Sequence, residues 1–344
     1  FCETNFFLFG LFRCVFFMKE KTHLIKGPIG EELEIPFDFK ESEYSDGDLL
    51  KFYEDNGYAI RRSLFKKDEC EKMLRSFYSE VKPYKGHIYR QASANPERHR
   101  LTGSGNMLNS ILNIQSLRKK SFYNFVESGT EILTQKGLVK DLEMMFGEKP
   151  KLVQSMYFEG NPVTWAHQDT YYLDSEEIGS MCGVWIALED IHPEAGRFYI
   201  YPKSHKIDIQ KNGGDFEIAF HHERYKELVK KVIEKEGLEC IAPPLKAGDV
   251  LFWNSKTIHG SLQTTDSTKT RNSITGHYIP NSQQFLQFQK FEKALSLVEL
   301  NGIQVNKPKD LNVGFNYLIF CIEITFPKLF QFLKKSVIRY KLKS

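Results

Sequence analysis

Apolar residues recur at helical spacing in the first half of the chain and gather into short extended blocks in the second. Between Gly47 and Lys82 the pattern predicts helix, short strand, helix. Leu49, Leu50, Phe52 and Tyr53 precede Asn56-Gly57, a helix stop. Tyr58-Ala59-Ile60 is short and extended, and Lys67 to Val81 carries Cys70, Met73, Leu74 and Phe77 on one face. Residues 85–115 have no clean period. Ser121 to Phe146 predicts further helix, with Leu138, Leu142, Met145 and Phe146 at helical spacing.

From Lys151 onward the pattern changes to β-type runs at 151–158, 182–188, 197–201, 249–254 and 271–279. Asn161-Pro162, Pro193 through Gly196 and Ala247-Gly248-Asp249 separate them as turns. Helices first and many short strands afterwards predict an α+β domain with a barrel core at about 150–280 and the N-terminal helices packed on one of its faces. One helix interrupts the strands: Leu228, Val229, Val232 and Ile233 share a face between Tyr225 and Glu236, and Gly237 ends it. It lies in a connection from His205 to Cys240, far longer than the roughly 2–6 residues a plain barrel turn needs. This predicts a covering segment hinged at Asn212-Gly213-Gly214-Asp215.

The domain is drawn over 18–290. The opening FCETNFFLFGLFRCVFF is apolar but broken by Glu3 and Arg13, without the order of a signal peptide, and Met18 starts an ordinary-looking N-terminus. Residues 1–17 therefore read as a leader outside the native fold. The extension over 291–344 is apolar-rich from Leu311 to Leu333, yet Asn316, Glu323, Pro327 and Lys328 make it a poor spanning helix. Phe326, Phe330, Leu333 and Val337 mark one face of a basic helix. Two readings stand: the helix docks on the domain, or it lies weakly on an anionic membrane surface.

Composition narrows the classes. The chain has 344 residues, 41% hydrophobic and 26% charged, enough for a sizeable core and unlike a disordered tail or a membrane bundle. Lys and Arg number 47 against 44 Asp and Glu, a net +3 that is no nucleic-acid footprint. Aromatics at 14% suit a β-rich fold. The six cysteines lie far apart with no CxxC pair, which argues against a zinc ribbon and for reduced thiols in a cytoplasmic protein. The oligomeric state leaves no mark in the sequence.

The candidate chemistry sits in WAHQDTYYL. His167 and Asp169 are two apart, so on a strand both point to one face and present an imidazole and a carboxylate to one ion. His259, after the DVLFWN run, supplies a third ligand. Two His and one carboxylate form the facial set that leaves positions open on non-haem iron. His23, His87, His99, His192, His205, His221, His222 and His277 read as surface or core residues. Arg271 follows His259 by twelve residues, with Ser261 and Ser273 each two past a site residue. A guanidinium beside hydroxyls suits a bidentate carboxylate clamp.

HQD, WIALEDIHPEAGRFYIYPKSHK, and AGDVLFWNSKTIHGS followed by Arg271 resemble the phytanoyl-CoA dioxygenase family. The resemblance runs from about Leu50 to Pro280 and is strongest from Gln154 to Tyr278. It implies a double-stranded β-helix, a jelly-roll or cupin-like barrel, carrying Fe(II) with 2-oxoglutarate as co-substrate. It further implies iron on His167, Asp169 and His259. Arg271 pairs with the distal carboxylate of 2-oxoglutarate, assisted by Ser261 or Ser273. Trp185 lines the co-substrate pocket, Met156 occupies another pocket position, and Gln154 shares its strand face. The implied reaction uses dioxygen to hydroxylate an aliphatic carbon of a small-molecule or lipid-like substrate, releasing succinate and carbon dioxide. Asp169 stands where related halogenases carry a small residue, which favours hydroxylation over halide transfer; desaturation and ring chemistry stay open. Arg90, Arg98 and Arg100 are candidates for a basic patch that would suit an acyl-CoA.

Two departures stand out. Pro202-Lys203-Ser204-His205 has Lys where the family has Gly, which predicts a turn of altered shape. Arg197 follows Gly196, a position the family fills with a small or apolar residue; it adds charge near the substrate mouth or is solvated. Another metal-dependent enzyme, such as a zinc hydrolase, or a non-catalytic jelly-roll binding protein remains as the alternative.

Overall fold

The computed structural model describes residues 22–36, 46–209, 218–330, 332, 333 and 336. The leader 1–17, the Asn212–Asp215 hinge and Val337 lie outside them. A hairpin, β1 (Thr22–Lys26) and β2 (Glu32–Pro36), comes first. Helix α1 (Asp46–Asn56) leads into β3 (Tyr58–Arg61) and α2 (Lys67–Ser76). Then follow α3 (Lys119–Leu133) and α4 (Lys136–Phe146), where the pattern predicted a single helical region. The chain breaks between them because the Gln135 side chain caps α4, its amide oxygen accepting the Leu138 N–H at 2.9 Å.

The barrel strands are β4 (Pro150–Phe158), β5 (Leu173–Ser175), β6 (Cys182–Ala187), β7 (Phe198–Ile200), β8 (Val250–Asn254), β9 (His259–Ser261), β10 (Ser273–Pro280) and β11 (Phe285–Gln287). Helix α5 (Ile218–Glu236) lies between β7 and β8. After β12 (Phe291–Glu292) come β13 (Leu297–Leu300), β14 (Ile303–Asn306) and helix α6 (Gly314–Thr325).

The large sheet has the order β13-β14-β4-β10-β6-β8-β3, antiparallel except where β14 runs parallel to β4. Facing it are the pair β7-β9 and the ribbon β12-β11-β5. Two facing sheets with helices on one outer side make the α+β jelly roll. The stretch beyond 290, read from sequence as an extension, begins inside the sheet: the Asn306 amide donates to the Val153 carbonyl at 2.9 Å.

Alternation along the strands builds the two layers. Ile274 and Tyr278 of β10, Val184 and Ile186 of β6, and Val250 and Phe252 of β8 face the helices. There they bury against Cys70 and Met73 of α2, Phe125 and Leu133 of α3 and Leu142 of α4. The other face carries Ser273, Thr275 and His277 of β10. In the same register stand Phe158, Met156 and Gln154 of β4, and Ala187, Trp185 and Gly183 of β6. This inner face holds the candidate chemistry.

Lys203 takes the left-handed conformation that the sequence reading reserved for glycine, with φ 66° and ψ −3°. The neighbourhood over-determines it. The Lys203 N–H donates to the Asn56 carbonyl at 2.8 Å, and the Ser204 hydroxyl donates to the Tyr201 carbonyl at 2.6 Å while accepting the Ile258 N–H at 2.8 Å. The turn thus keeps its shape at a cost. A left-handed non-glycine residue costs about 1–2 kcal/mol, and glycine gives back about 0.4–1 kcal/mol through the unfolded chain. Lys203→Gly is therefore expected to raise unfolding stability by up to about 1 kcal/mol, read from denaturant midpoints at unchanged slope.

Helix α6 is a further element upstream of the helix predicted through Phe326, Phe330 and Leu333, whose described residues 327–330, 332, 333 and 336 are helical. The backbone breaks at Phe326 (φ −123°, ψ 56°), the residue before Pro327, where proline disfavours the helical region. Among the described residues no helix is long and apolar enough to cross a membrane.

Candidate metal centre

His167 and His259 meet across the two segments that carry them. Each backbone N–H donates to the other's carbonyl, at 3.1 and 3.0 Å. That bridge brings the two imidazoles to a ring separation of 4.4 Å. Each Nδ1 lies against a backbone carbonyl, Trp165 at 2.8 Å for His167 and Thr257 at 2.9 Å for His259. A carbonyl only accepts, so Nδ1 carries the hydrogen and the Nε2 lone pair points inward. Asp169 Oδ1 stands 3.5 Å from His167 Nε2 and 3.6 Å from His259 Nε2. Two bonds of about 2.1 Å span such separations. Among the described residues these three form the one cluster of His, Cys, Asp and Glu able to hold a metal ion. The donor set of two neutral nitrogens and one carboxylate oxygen fits a divalent iron and leaves coordination positions over.

The other carboxylate oxygen is also held. The Trp253 indole N–H donates to Asp169 Oδ2 at 2.8 Å, and His277 Nε2 lies 3.3 Å from it. Burial alone would raise the Asp169 carboxyl; the imidazoles of His259 and His277 outweigh it and hold the group well below the usual carboxylate range. Burial pushes His259 down to about 4, so its imidazole is neutral, the form a metal takes. Gly183 makes the Trp253 position available: a Cβ there would stand 2.1 Å from the indole. Trp253→Phe keeps a ring in place and removes the N–H, so iron affinity is expected to fall about 10–100-fold. Chelator competition measures it, and an unchanged affinity would discharge Trp253 from orienting the carboxylate.

Arg271 is 2% exposed at the start of the β10 edge of the inner face. Its Nη1 donates to the Gly196 carbonyl at 3.3 Å, its guanidinium carbon lies 5.2 Å from the centre of the Phe158 ring, and its Nε has no partner. No described carboxylate pairs with it. Neighbouring Glu159 gives its side chain to Lys82 and the Met107 N–H, and Glu189 accepts from Asn272. Burial lowers the Arg271 guanidinium to about 9, the mark of a desolvated cation without a counter-charge. Gly196 has φ 79°, and a Cβ on it would strike Asn161 at 2.0 Å, so only glycine brings this carbonyl against Arg271.

The two serines separate. The Ser261 hydroxyl donates to Asn161 Oδ1 at 2.8 Å and accepts the Thr164 N–H at 2.7 Å, bracing the loop before His167. Ser273 Oγ is buried with no partner, one residue beyond Asn272 on the inner face. Trp185 and Met156 are buried opposite Thr275, and Gln154 stands opposite His277. Arg197 is neither solvated nor at a mouth. It is buried, donating from Nε to the Ile191 carbonyl at 3.1 Å and from Nη1 to Pro36, and so ties down the N-terminal hairpin. Arg90 is likewise buried, on the Asn109 carbonyl and His99, leaving Arg98 and Arg100 exposed.

Sequence reasoning missed Trp253, His277 and Phe198. Phe198 stacks on His259 with centroids 5.4 Å apart and planes 13° apart. For His277 a signal existed: it lies on the Ser273 face by strand alternation. Helix α5 is docked beside the centre. The Tyr225 hydroxyl accepts the Gln168 N–H at 3.2 Å, and Trp165 reaches both His167 and His222, with centroids 5.3 and 4.8 Å apart.

A family model described as phytanoyl-CoA dioxygenase (PhyH) matches residues 53–273, the span that holds every residue of this centre except His277. The chain belongs to the phytanoyl-CoA dioxygenase family. Among its relatives, phytanoyl-CoA dioxygenase domain-containing protein 1 of Bos taurus is 28% identical over 271 residues, 68% of this chain and 90% of that one. The protein of the same name from Danio rerio is 29% identical over 152 residues, 41% of this chain; the match spans about half, 48%, of that relative's length. Two solved structures share the family member's fold. One is the non-heme alpha ketoglutarate dependent carbocyclase SnoK from nogalamycin biosynthesis (TM-score 0.52, 16% identity, 72% of this chain and 89% of that chain). The other is EctD from S. alaskensis with 2-oxoglutarate and 5-hydroxyectoine (TM-score 0.51, 14% identity, 86% and 95%).

Proposed function

We propose that this chain is an Fe(II)- and 2-oxoglutarate-dependent dioxygenase that hydroxylates an aliphatic carbon of a small-molecule or lipid-like substrate. The observation that carries the proposal is the buried, carboxylate-free Arg271 on the same inner face as the His167–Asp169–His259 cluster. A metal centre alone fits several enzyme classes. A metal centre with a desolvated guanidinium waiting for an anion fits a dicarboxylate co-substrate. The family membership, and solved neighbours that include an alpha ketoglutarate dependent carbocyclase and EctD with 2-oxoglutarate, support the same reading.

In this reading His167, Asp169 and His259 hold iron, and Arg271 takes the distal carboxylate of 2-oxoglutarate. Ser273 assists it in preference to Ser261, because only Ser273 has a free hydroxyl. Iron with 2-oxoglutarate and dioxygen supplies the oxidising power, and the co-substrate leaves as succinate and carbon dioxide. The chain's part is to position and to dry the site: Trp185, Met156 and Phe198 wall the inner face against water. Trp165 and Tyr172 flank His167 at 5.3 and 6.2 Å between ring centres, and this aromatic rim supports a substrate with an apolar body. The sparse cysteines support a cytoplasmic setting.

The test is succinate formation from 2-oxoglutarate with purified protein across a panel of acyl-CoAs, fatty acids and small polar metabolites. The expected result is iron-dependent turnover that one substrate class stimulates, with product gaining one oxygen atom. Product losing two hydrogens instead would make the enzyme a desaturase, and an absence of succinate under every condition would remove the oxygenase reading.

A further inference from the structure

Helix α6 is apolar on more than the side by which it docks. Phe320 is buried and Tyr317, Cys321 and Ile324 are half-buried, packed with Tyr89 and Leu311, and the Tyr89 hydroxyl donates to Glu323 at 2.7 Å. The other side stands in the open. Phe315 is 70% exposed, and Leu318 and Ile322 follow at spacings of three and four. Beyond the bend, Phe326, Leu329 (60%), Phe332 (68%) and Leu333 are exposed as well. A helix that is apolar all round is ordinarily covered all round. Contiguous exposed side chains of this size mark a surface that meets something.

Charge indicates what it meets. After Glu323 the sequence carries Lys328, Lys334, Lys335, Arg339, Lys341 and Lys343 and no acidic residue. At the opposite end of α6 the Arg118 guanidinium sits 3.6 Å over the Tyr317 ring and Lys120 beside it is exposed, while Lys119 pairs with Glu127. Large apolar side chains with Arg118 and Lys120 at one end, Lys328 at the other, and a C-terminal sequence that is basic throughout match a bilayer surface. The acyl boundary takes Phe and Leu, and anionic headgroups take Lys and Arg. Among the described residues no helix is long enough to cross, so the contact lies in the plane of the surface.

We propose that α6 and residues 326–330, 332 and 333 bind the surface of a bilayer containing anionic phospholipid. The Phe315–Ile322 side enters the acyl boundary, and the exposed Lys328 and Lys120 engage headgroups. The contact is independent of the iron chemistry. It would bring the barrel to a surface where lipid-like compounds partition.

The experiment is co-sedimentation of the full chain with vesicles of phosphatidylcholine alone and of phosphatidylcholine with phosphatidylserine. Binding to the anionic vesicles is expected to exceed that to neutral ones at least about tenfold and to weaken with added salt. A Leu318→Glu/Leu329→Glu variant is expected to lose it with its unfolding temperature unchanged, since both side chains are exposed. Equal binding to neutral vesicles, no binding to either, or a variant that binds like wild type would each overturn the proposal. So would sedimentation analysis showing the wild type to be a dimer that the same two substitutions dissociate, for a second copy would then cover the face.

Discussion

Asp169→Ala protein is expected to fold, to hold no stoichiometric iron, and to form succinate at least about a thousandfold more slowly than wild type. The carboxylate is the only anion among the three ligands, and one of its oxygens faces both imidazole nitrogens at 3.5 and 3.6 Å. Its loss removes a ligand and the charge that balances a divalent cation. If that withdraws about 4 kcal/mol from the reaction barrier, the rate drops by about three decades. Folding survives because the structural loss is small. The Trp253 indole N–H and His277 are left without their shared oxygen, at about 1–3 kcal/mol against a net stability of about 5–15 kcal/mol. His259→Ala and His167→Ala are expected to follow the same course. Iron content by metal analysis and thermal unfolding of the same samples separate a lost ligand from a lost fold. Normal iron content with full activity in any of the three would displace the centre from these residues.

Arg271→Ala is expected to leave iron binding nearly intact and to raise the 2-oxoglutarate requirement about 30-fold or more. Removing one side of a buried charge-assisted pair costs about 2–5 kcal/mol, and each 1.4 kcal/mol is a factor of ten. Arg271→Lys is expected to recover part of this, because an ammonium keeps the charge and lacks the planar fork. The free protein supplies an opposite sign. Without co-substrate the guanidinium is buried and faces no carboxylate among the described residues, and burial alone brings it down to about 9. Replacing a desolvated, uncompensated cation with an apolar side chain of similar length relieves that cost. Arg271→Met is therefore expected to unfold at a higher temperature than wild type, by about 1–3 kcal/mol of stability, while losing the further stabilisation that 2-oxoglutarate gives wild type. A merely structural arginine would lower stability on the same change. That sign is readable by calorimetry before any substrate is known.

The strands and the ligand spacing were open to sequence reasoning because both rest on short-range rules. The β-type runs at 151–158 and 271–279 became β4 and β10. His167 and Asp169 do meet at one cluster, but not as neighbours on a strand: His167 lies in a single bridge to His259 and Asp169 opens a 3-10 turn. What escaped depended on register across long separations. Trp253 reaches Asp169 from 84 residues away, and nothing local in DVLFWN marks its indole as a donor to a carboxylate. Ser261 and Ser273 are equal candidates in sequence; only the loop at Asn161 and Thr164 shows one hydroxyl already spent. Arg197 looked solvated because arginine usually is, and the hairpin that buries it arrives from more than 150 residues upstream. Lys203 holds a conformation that its own preference opposes, since the hydrogen bonds around Asn56 and Ser204 decide the turn. Helix α6 escaped because Pro327 divides an apolar stretch that reads as continuous, and only the helix beyond the proline was drawn.

The central claim is that one iron on His167, Asp169 and His259 and one guanidinium at Arg271 together bind 2-oxoglutarate. Isothermal titration of 2-oxoglutarate under anaerobic conditions tests it most directly, with Fe(II)-loaded wild type, metal-free wild type and Fe(II)-loaded Arg271→Ala. The account predicts one site per chain in the loaded wild type, binding that collapses without metal, and binding about 30-fold weaker or worse in Arg271→Ala. Equal affinity in all three samples would contradict it.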